Sequence, residues 1–233
     1  MIVQNLQIVK DKISEKCAAV GRDFSEIKLI AVSKNFGIKD INEVFTAGVR
    51  DFGENKAQEL EGKFEELGDK ITWHFIGNLQ KNKVKYVVKS AEFIHSVTSL
   101  SLAEEIDKRA EKLNKSQKIL IQVKTSDEET KSGVADEKEV IDLAFACNEL
   151  ANLSPIGLMT IAPFTDNENL IRQSFIYLRN LKEKLKAQGL SLKELSMGMT
   201  SDFEIAIEEG ATMLRIGSAI FGQRDYSKNW KDL

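Results

Sequence analysis

With 233 residues, of which 42% are hydrophobic and 30% charged, the chain is long enough to bury a large α/β core, and its 2 prolines leave no proline-rich linker. Lys and Arg total 33 against 36 Asp and Glu, a formal net charge of -3, so no basic field draws the chain onto nucleic acid. No run approaches the roughly eighteen apolar residues of a membrane helix, and Met-Ile-Val-Gln-Asn-Leu-Gln at the N-terminus lacks the basic and apolar regions of a secretory leader. We therefore expect neither membrane insertion nor secretion. Cys17 and Cys147 fall in helical patterns with no CxxC or His/Cys cluster to hold a metal, and read as reduced, buried thiols of a cytoplasmic protein.

In chain order, Leu6, Val9, Ile13, Cys17 and Val20 recur at steps of three and four, which predicts a helix closed by Gly21 before any strand begins. Leu29 to Val32 is a continuous apolar run with β-branched members, the pattern of a strand buried on both faces of a parallel sheet, and Ser33 and Lys34 follow where it emerges. A helix with Ile38, Ile41, Val44 and Phe45 on one face then runs to Gly48. The alternation continues with strand Val49 to Gly53 and a helix from about Asn55 to Leu67. Strand Thr72 to Ile76 precedes a helix from about Gln80 to Lys89, and strand Phe93 to Val97 one from about Leu100 to Leu113. Ile119 to Val123 leads through a charged loop, Lys124 to Gly133, into a helix across Val140 to Leu150, and that loop could serve as a lid. Ile156 to Ile161 precedes a long helix presenting Ile171, Phe175, Leu178, Leu181 and Leu185. Leu195 to Met197 and Met213 to Ile216 enclose a helix from about Asp202 to Glu209.

Eight strands with interleaved helices predict a closed (β/α)8 barrel, as a single domain over residues 1–233 with the helix of residues 1–21 packed on its outside. An open doubly wound sheet competes, but the first strand is not followed by GxGxxG. In a barrel, chemistry sits at the carboxyl ends of the strands. The residues there are Lys34; Glu54 and Asn55; Gly77 and Asn78; His95 and Ser96; Gln122 and Lys124; Met159 and Thr160; Ser196 to Asp202; and Arg215 to Ser218. An amine desolvated at a strand end favours its neutral form, which can attack an aldehyde, although a strand-end lysine can also simply reach water. Ser-Met-Gly-Met-Thr-Ser-Asp and Arg-Ile-Gly-Ser, after the last two strands, offer hydroxyls and close backbone approach for a phosphate. An imine-forming lysine facing a phosphate cradle fits pyridoxal 5′-phosphate (PLP).

The chain resembles the pyridoxal phosphate homeostasis proteins, relatives of the barrel half of alanine racemase. The resemblance runs from about Leu29 to Ser227, through Ala-Val-Ser-Lys34, Phe-Gly-Glu-Asn55, Trp-His-Phe-Ile-Gly-Asn-Leu-Gln80, Lys131-Ser-Gly, Gly157-Leu-Met, Met197-Gly-Met and Arg215-Ile-Gly-Ser-Ala-Ile-Phe-Gly222. It implies that Lys34 carries PLP as a Schiff base, that Thr200, Ser201, Gly217 and Ser218 hold the phosphate, and that Arg215 faces the pyridine nitrogen. Asn55 is then placed near the phenolic oxygen or caps its helix. His74 either stacks under the ring or is a core histidine between Trp73 and Phe75, and Met159 is a further candidate contact. A guanidinium has donors only, so the nitrogen it faces stays unprotonated and the ring is a poor electron sink.

Alanine racemase also draws a tyrosine from a separate β-domain that is missing here; Tyr226 matches the family without being that residue. The resemblance thus implies a monomeric PLP carrier in vitamin B6 homeostasis and amino-acid balance that exchanges cofactor with PLP-dependent apo-enzymes, with Lys131 able to hand cofactor over at the rim. A weak racemase is the alternative, and a barrel acting on a phosphorylated metabolite without cofactor stands third. The chain departs from the family at Asn35-Phe36-Gly37, where many relatives have Thr with a second lysine or proline nearby, and at Thr200, where serine is commoner.

Overall fold

The structure is a computed structural model that describes residues 1–126, 128, 132–223 and 230–232. Lys131 and Tyr226 lie outside the described residues. Eight strands, β1 (Lys28–Val32), β2 (Asp51–Glu54), β3 (Thr72–Phe75), β4 (Phe93–Val97), β5 (Gln117–Gln122), β6 (Leu153–Met159), β7 (Glu194–Ser196) and β8 (Met213–Ile216), pair in sequence order, every pair parallel. The pairing of β8 with β1, from Lys28 opposite Met213 to Ala31 opposite Ile216, closes the barrel. The predicted (β/α)8 barrel is thus observed, and the open sheet is excluded.

Helices follow the strands in alternation: α1 (Ile2–Ala19) precedes the barrel, then come α2 (Ile38–Thr46), α3 (Ala57–Leu67), α4 (Val84–Ser90), α5 (Leu100–Glu111), α6 (Glu137–Asn148), α7 (Glu168–Ala187), α8 (Phe203–Glu208) and the short α9 (Ser218–Phe221). Helix α1 buries Leu6, Val9, Ile13 and Cys17 and packs on α2, α8 and α9. Several starts are set by side-chain caps: Ser99, Asp136 and Asn167 accept the backbone N–H of Leu102, Glu139 and Asn169. Element ends differ from the sequence expectation by a few residues. Val49, expected to open β2, is still tied to α2 because its N–H reaches Val44 O across Gly48, which sits at φ +93°.

The apolar interior has two layers. The larger lies between barrel and helices; the smaller, Ile30, Phe93, Leu120, Met159 and Met213, fills the barrel itself. Polar side chains inside the barrel, His74, His95 and Ser196, are fully buried among them.

Candidate functional site

At the carboxyl end of the strands the barrel opens into a cavity of about 460 Å³, a size suited to a small ligand. Lys34, Asn55, Thr200, Ser201, Arg215, Gly217 and Ser218 all line it, so residues far apart in the chain converge on one mouth. Gly77, Asn78 and Gln122 from the strand-end positions join them. Val32, Ile76, Ile161, Met199 and the 95%-exposed Phe164 form its apolar walls. Their signal was positional, since each sits at or just beyond a strand end.

Lys34 stands two residues beyond β1, half-buried, on a turn whose backbone is held from both sides. The Lys63 ammonium, completely buried on α3, donates to Ser33 O at 2.9 Å, to Glu54 Oε1 at 2.8 Å and to Glu59 Oε1 at 2.8 Å, using all three of its N–H groups. Ser33 Oγ donates to the same Glu54 oxygen at 2.6 Å, and the Asn35 N–H donates to Glu59 Oε1 at 2.6 Å. The peptide groups before and after Lys34 are therefore both tied to one buried ion cluster. Asn35 sits at φ +65°, a left-handed conformation that asparagine tolerates better than a β-branched residue. Burial, with Glu59 adding to it, pushes the Glu54 carboxyl up to about 7 against the pull of Lys63 and Ser33. Phe36 then stacks on Phe221 with ring centroids 4.9 Å apart, tying the Lys34 turn to α9.

Across the mouth, the loops after β7 and β8 are joined: the Arg215 N–H donates to Gly198 O at 2.9 Å, and Ser218 Oγ donates to Thr200 Oγ1 at 3.2 Å. Gly198 adopts φ +91°, and a Cβ there would fall 2.6 Å from the Ala206 Cβ, so the turn that presents Thr200 and Ser201 requires glycine. On the opposite side, a Cβ on Gly77 would lie 2.1 Å from Asn55 O, so the exit of β3 runs against the backbone of Asn55. Asn55 Oδ1 is buried without a hydrogen-bond partner among the described residues, a polar end left for an occupant of the cavity.

Arg215 is buried, and its guanidinium donates from Nη1 to Ser196 Oγ at 2.6 Å and from Nη2 to Thr160 O at 2.7 Å. Burial draws its pKa down to about 10, partly offset by Asp202, so it stays a cation at neutral pH. Of the residues that the resemblance assigns to the cofactor, two are not brought to the cavity. His74 lies inside the barrel, stacked on Phe93 at 4.4 Å with the rings 2° from parallel, its Nε2 2.8 Å from Asp51 Oδ1 and its Nδ1 2.9 Å from His95 Nε2. Met159 is in the barrel's apolar layer with Ile30 and Met213. Both side chains project inward one layer below the mouth.

The family model for the N-terminal domain of alanine racemase matches residues 5–225. A pyridoxal phosphate homeostasis protein of Aquifex aeolicus is 43% identical over 227 residues, covering 96% of this chain and 98% of the relative. The chain belongs to the pyridoxal phosphate homeostasis protein family. Among solved structures, PipY of Synechococcus elongatus PCC7942 without PLP superposes with a TM-score of 0.82 at 39% identity, covering 90% of this chain and 100% of PipY. PipY with PLP bound gives 0.79 at 38% identity with the same coverage. The polar groups of this family member suit a phosphorylated aldehyde with a ring nitrogen: a lysine amine, a fixed cation, paired hydroxyls beside glycine, and an unpartnered amide oxygen that accepts.

Proposed function

We propose that this chain, acting in the cytoplasm as a monomer and a single domain over residues 1–233, holds pyridoxal 5′-phosphate at the barrel mouth and serves PLP homeostasis and amino-acid balance. The observation that carries the reading is the convergence of Lys34, Arg215, Asn55 and the Thr200–Ser218 pair on one cavity. The relatives' names and the PLP-bound PipY structure support it.

Lys34 binds the aldehyde carbon through a Schiff base, with the aldehyde oxygen leaving as water. The hydroxyls of Thr200, Ser201 and Ser218, with the backbone at Gly217, take the phosphate. Arg215 directs an N–H at the ring nitrogen, and Asn55 meets the phenolic oxygen. His74 and Met159 contribute from the layer beneath. When bound, the cofactor supplies an electrophilic carbon that ordinary side chains lack, and its reversible link lets it pass to apo-enzymes that need it.

Purified protein supplied with PLP is expected to show a visible absorption band that borohydride removes, with Lys34 found modified by mass spectrometry, and Lys34→Ala is expected to show neither. A colourless protein, or equal attachment to Lys34→Ala, overturns the reading. Rapid deuterium incorporation into L-alanine in heavy water would replace the carrier with a racemase.

A further inference from the structure

A line of buried polar atoms runs through the barrel from its amino-terminal end to Arg215. Asp51 Oδ1 lies 2.8 Å from His74 Nε2, His74 Nδ1 lies 2.9 Å from His95 Nε2, His95 Nδ1 lies 2.9 Å from Ser196 Oγ, and Ser196 Oγ accepts from Arg215 Nη1 at 2.6 Å. His74, His95 and Ser196 are each 0% exposed, so water does not compete for these contacts. The Asp51 end is 3.4 Å from Lys28 Nζ and reaches the surface.

The direction of every bond follows from its two ends. A guanidinium only donates, so Ser196 accepts from Arg215 and its hydroxyl hydrogen is free for His95 Nδ1. A carboxylate only accepts, so His74 carries its hydrogen on Nε2 and Nδ1 must accept, which places the hydrogen of His95 on Nε2. Reasoning from Arg215 downward and from Asp51 upward gives the same answer for both rings. Burial lowers the pKa of both histidines, His95 further through His74 and Arg215, and this keeps the rings neutral.

We propose that Asp51, His74, His95 and Ser196 form a one-way hydrogen-bond relay that holds the Arg215 guanidinium in place as a donor toward the cavity, making them positioning residues for a site that none of them lines. The proposal rests on the reading of the cavity as a PLP site. With Nη1 fixed by the relay and Nη2 fixed by Thr160 O, the guanidinium plane is pinned at two points. Asp202 offsets part of the cost of burying its charge, and the relay orders the neutral groups between Arg215 and Asp51 so that their dipoles align. A ligand ring nitrogen meeting Arg215 therefore faces a donor that can neither rotate away nor turn acceptor.

The chain has only 2 histidines, so ¹⁵N-histidine labelling of the unmodified protein without cofactor gives two assignable rings. At neutral pH both are expected to be neutral with hydrogen on Nε2, and a coupling across the hydrogen bond should join His95 Nε2 to His74 Nδ1. Hydrogen on Nδ1 of either ring, or a charged ring, overturns the relay. In PLP titrations, Ser196→Ala is expected to weaken binding about tenfold, the loss of one hydrogen bond to a charged group, and to move the visible band. Ser196→Thr is expected to restore both, and Asp51→Asn to move the band in the same direction by less. Unchanged affinity and band in Ser196→Ala overturn the positioning role even if the tautomers are as stated. If the tautomers are as stated and the unmodified protein takes up no PLP, it is the reading of the cavity that falls.

Discussion

Two groups of buried ionisable side chains stand behind the cavity, and the barrel manages them differently. Around Lys63 the charges are packed together: one ammonium, two carboxylates and the backbone of the Lys34 turn within single hydrogen bonds of one another. Along the barrel interior the charges are kept at the ends, Asp51 and Arg215, with neutral histidines and a serine between. The cluster fixes a stretch of main chain, so that Lys34 leaves β1 on a set path. The relay fixes a side chain that the main chain alone would leave to rotate. Placing an amine needs a rigid turn beneath it, whereas aiming a guanidinium needs acceptors at its tip, and the difference in architecture follows from that.

The largest expected effect comes from breaking the cluster. Lys63→Met removes the cation shared by Glu54 and Glu59 and leaves two buried carboxylates facing each other, which should cost about 3–5 kcal/mol in denaturant unfolding. A loss below ~1 kcal/mol would show that the cluster is held open to water and is not the clamp described.

The two regions should also differ in the sign of their pH dependence. Glu54 is raised to about 7 from an ordinary 4.5, so between those values the folded chain keeps a proton that the unfolded chain has lost. Its stabilising contribution is full below about 4.5 and is lost as pH rises toward about 7. His74 and His95 are lowered from 6.5, so their contribution is full above that value and is lost as pH falls below it, where the unfolded chain takes up protons first. Glu54→Gln removes the first of these opposing slopes. Its urea midpoint should therefore rise more between pH 5 and pH 7 than that of the unmodified protein, and an equal rise would discard the assignment.

The smallest effect sets the scale for both. Lys184 and Glu137 are 2.5 Å apart, but their side chains are 50% and 41% exposed, so Lys184→Ala should change stability by no more than about 1 kcal/mol and the change should vanish in high salt.

Much of the site was readable because its residues lie in runs. Ala-Val-Ser-Lys34, the Met197-Gly-Met turn and Arg215-Ile-Gly-Ser each sit at a strand end, and a closed parallel barrel brings all strand ends to one face whatever their distance in sequence. His74 and Met159 show where that reasoning stops. Both were candidates for contact with a ligand, and both lie one layer below the cavity. Position along a strand does not give depth along the barrel axis, because tilt and stagger lift some strands relative to others.

The sequence by itself determined the alternation of strand and helix, the amine at position 34 and the hydroxyl-rich turns after the last two strands, since each depends on local pattern and chain order. Only the tertiary structure decided that Lys63 reaches beneath the Lys34 turn and that two histidines from β3 and β4 join Asp51 to Arg215. Those contacts link β2, β3, β4, β7 and β8 across the barrel interior, and such pairings are fixed by register and inward-facing geometry, for which no single stretch of chain carries a signature.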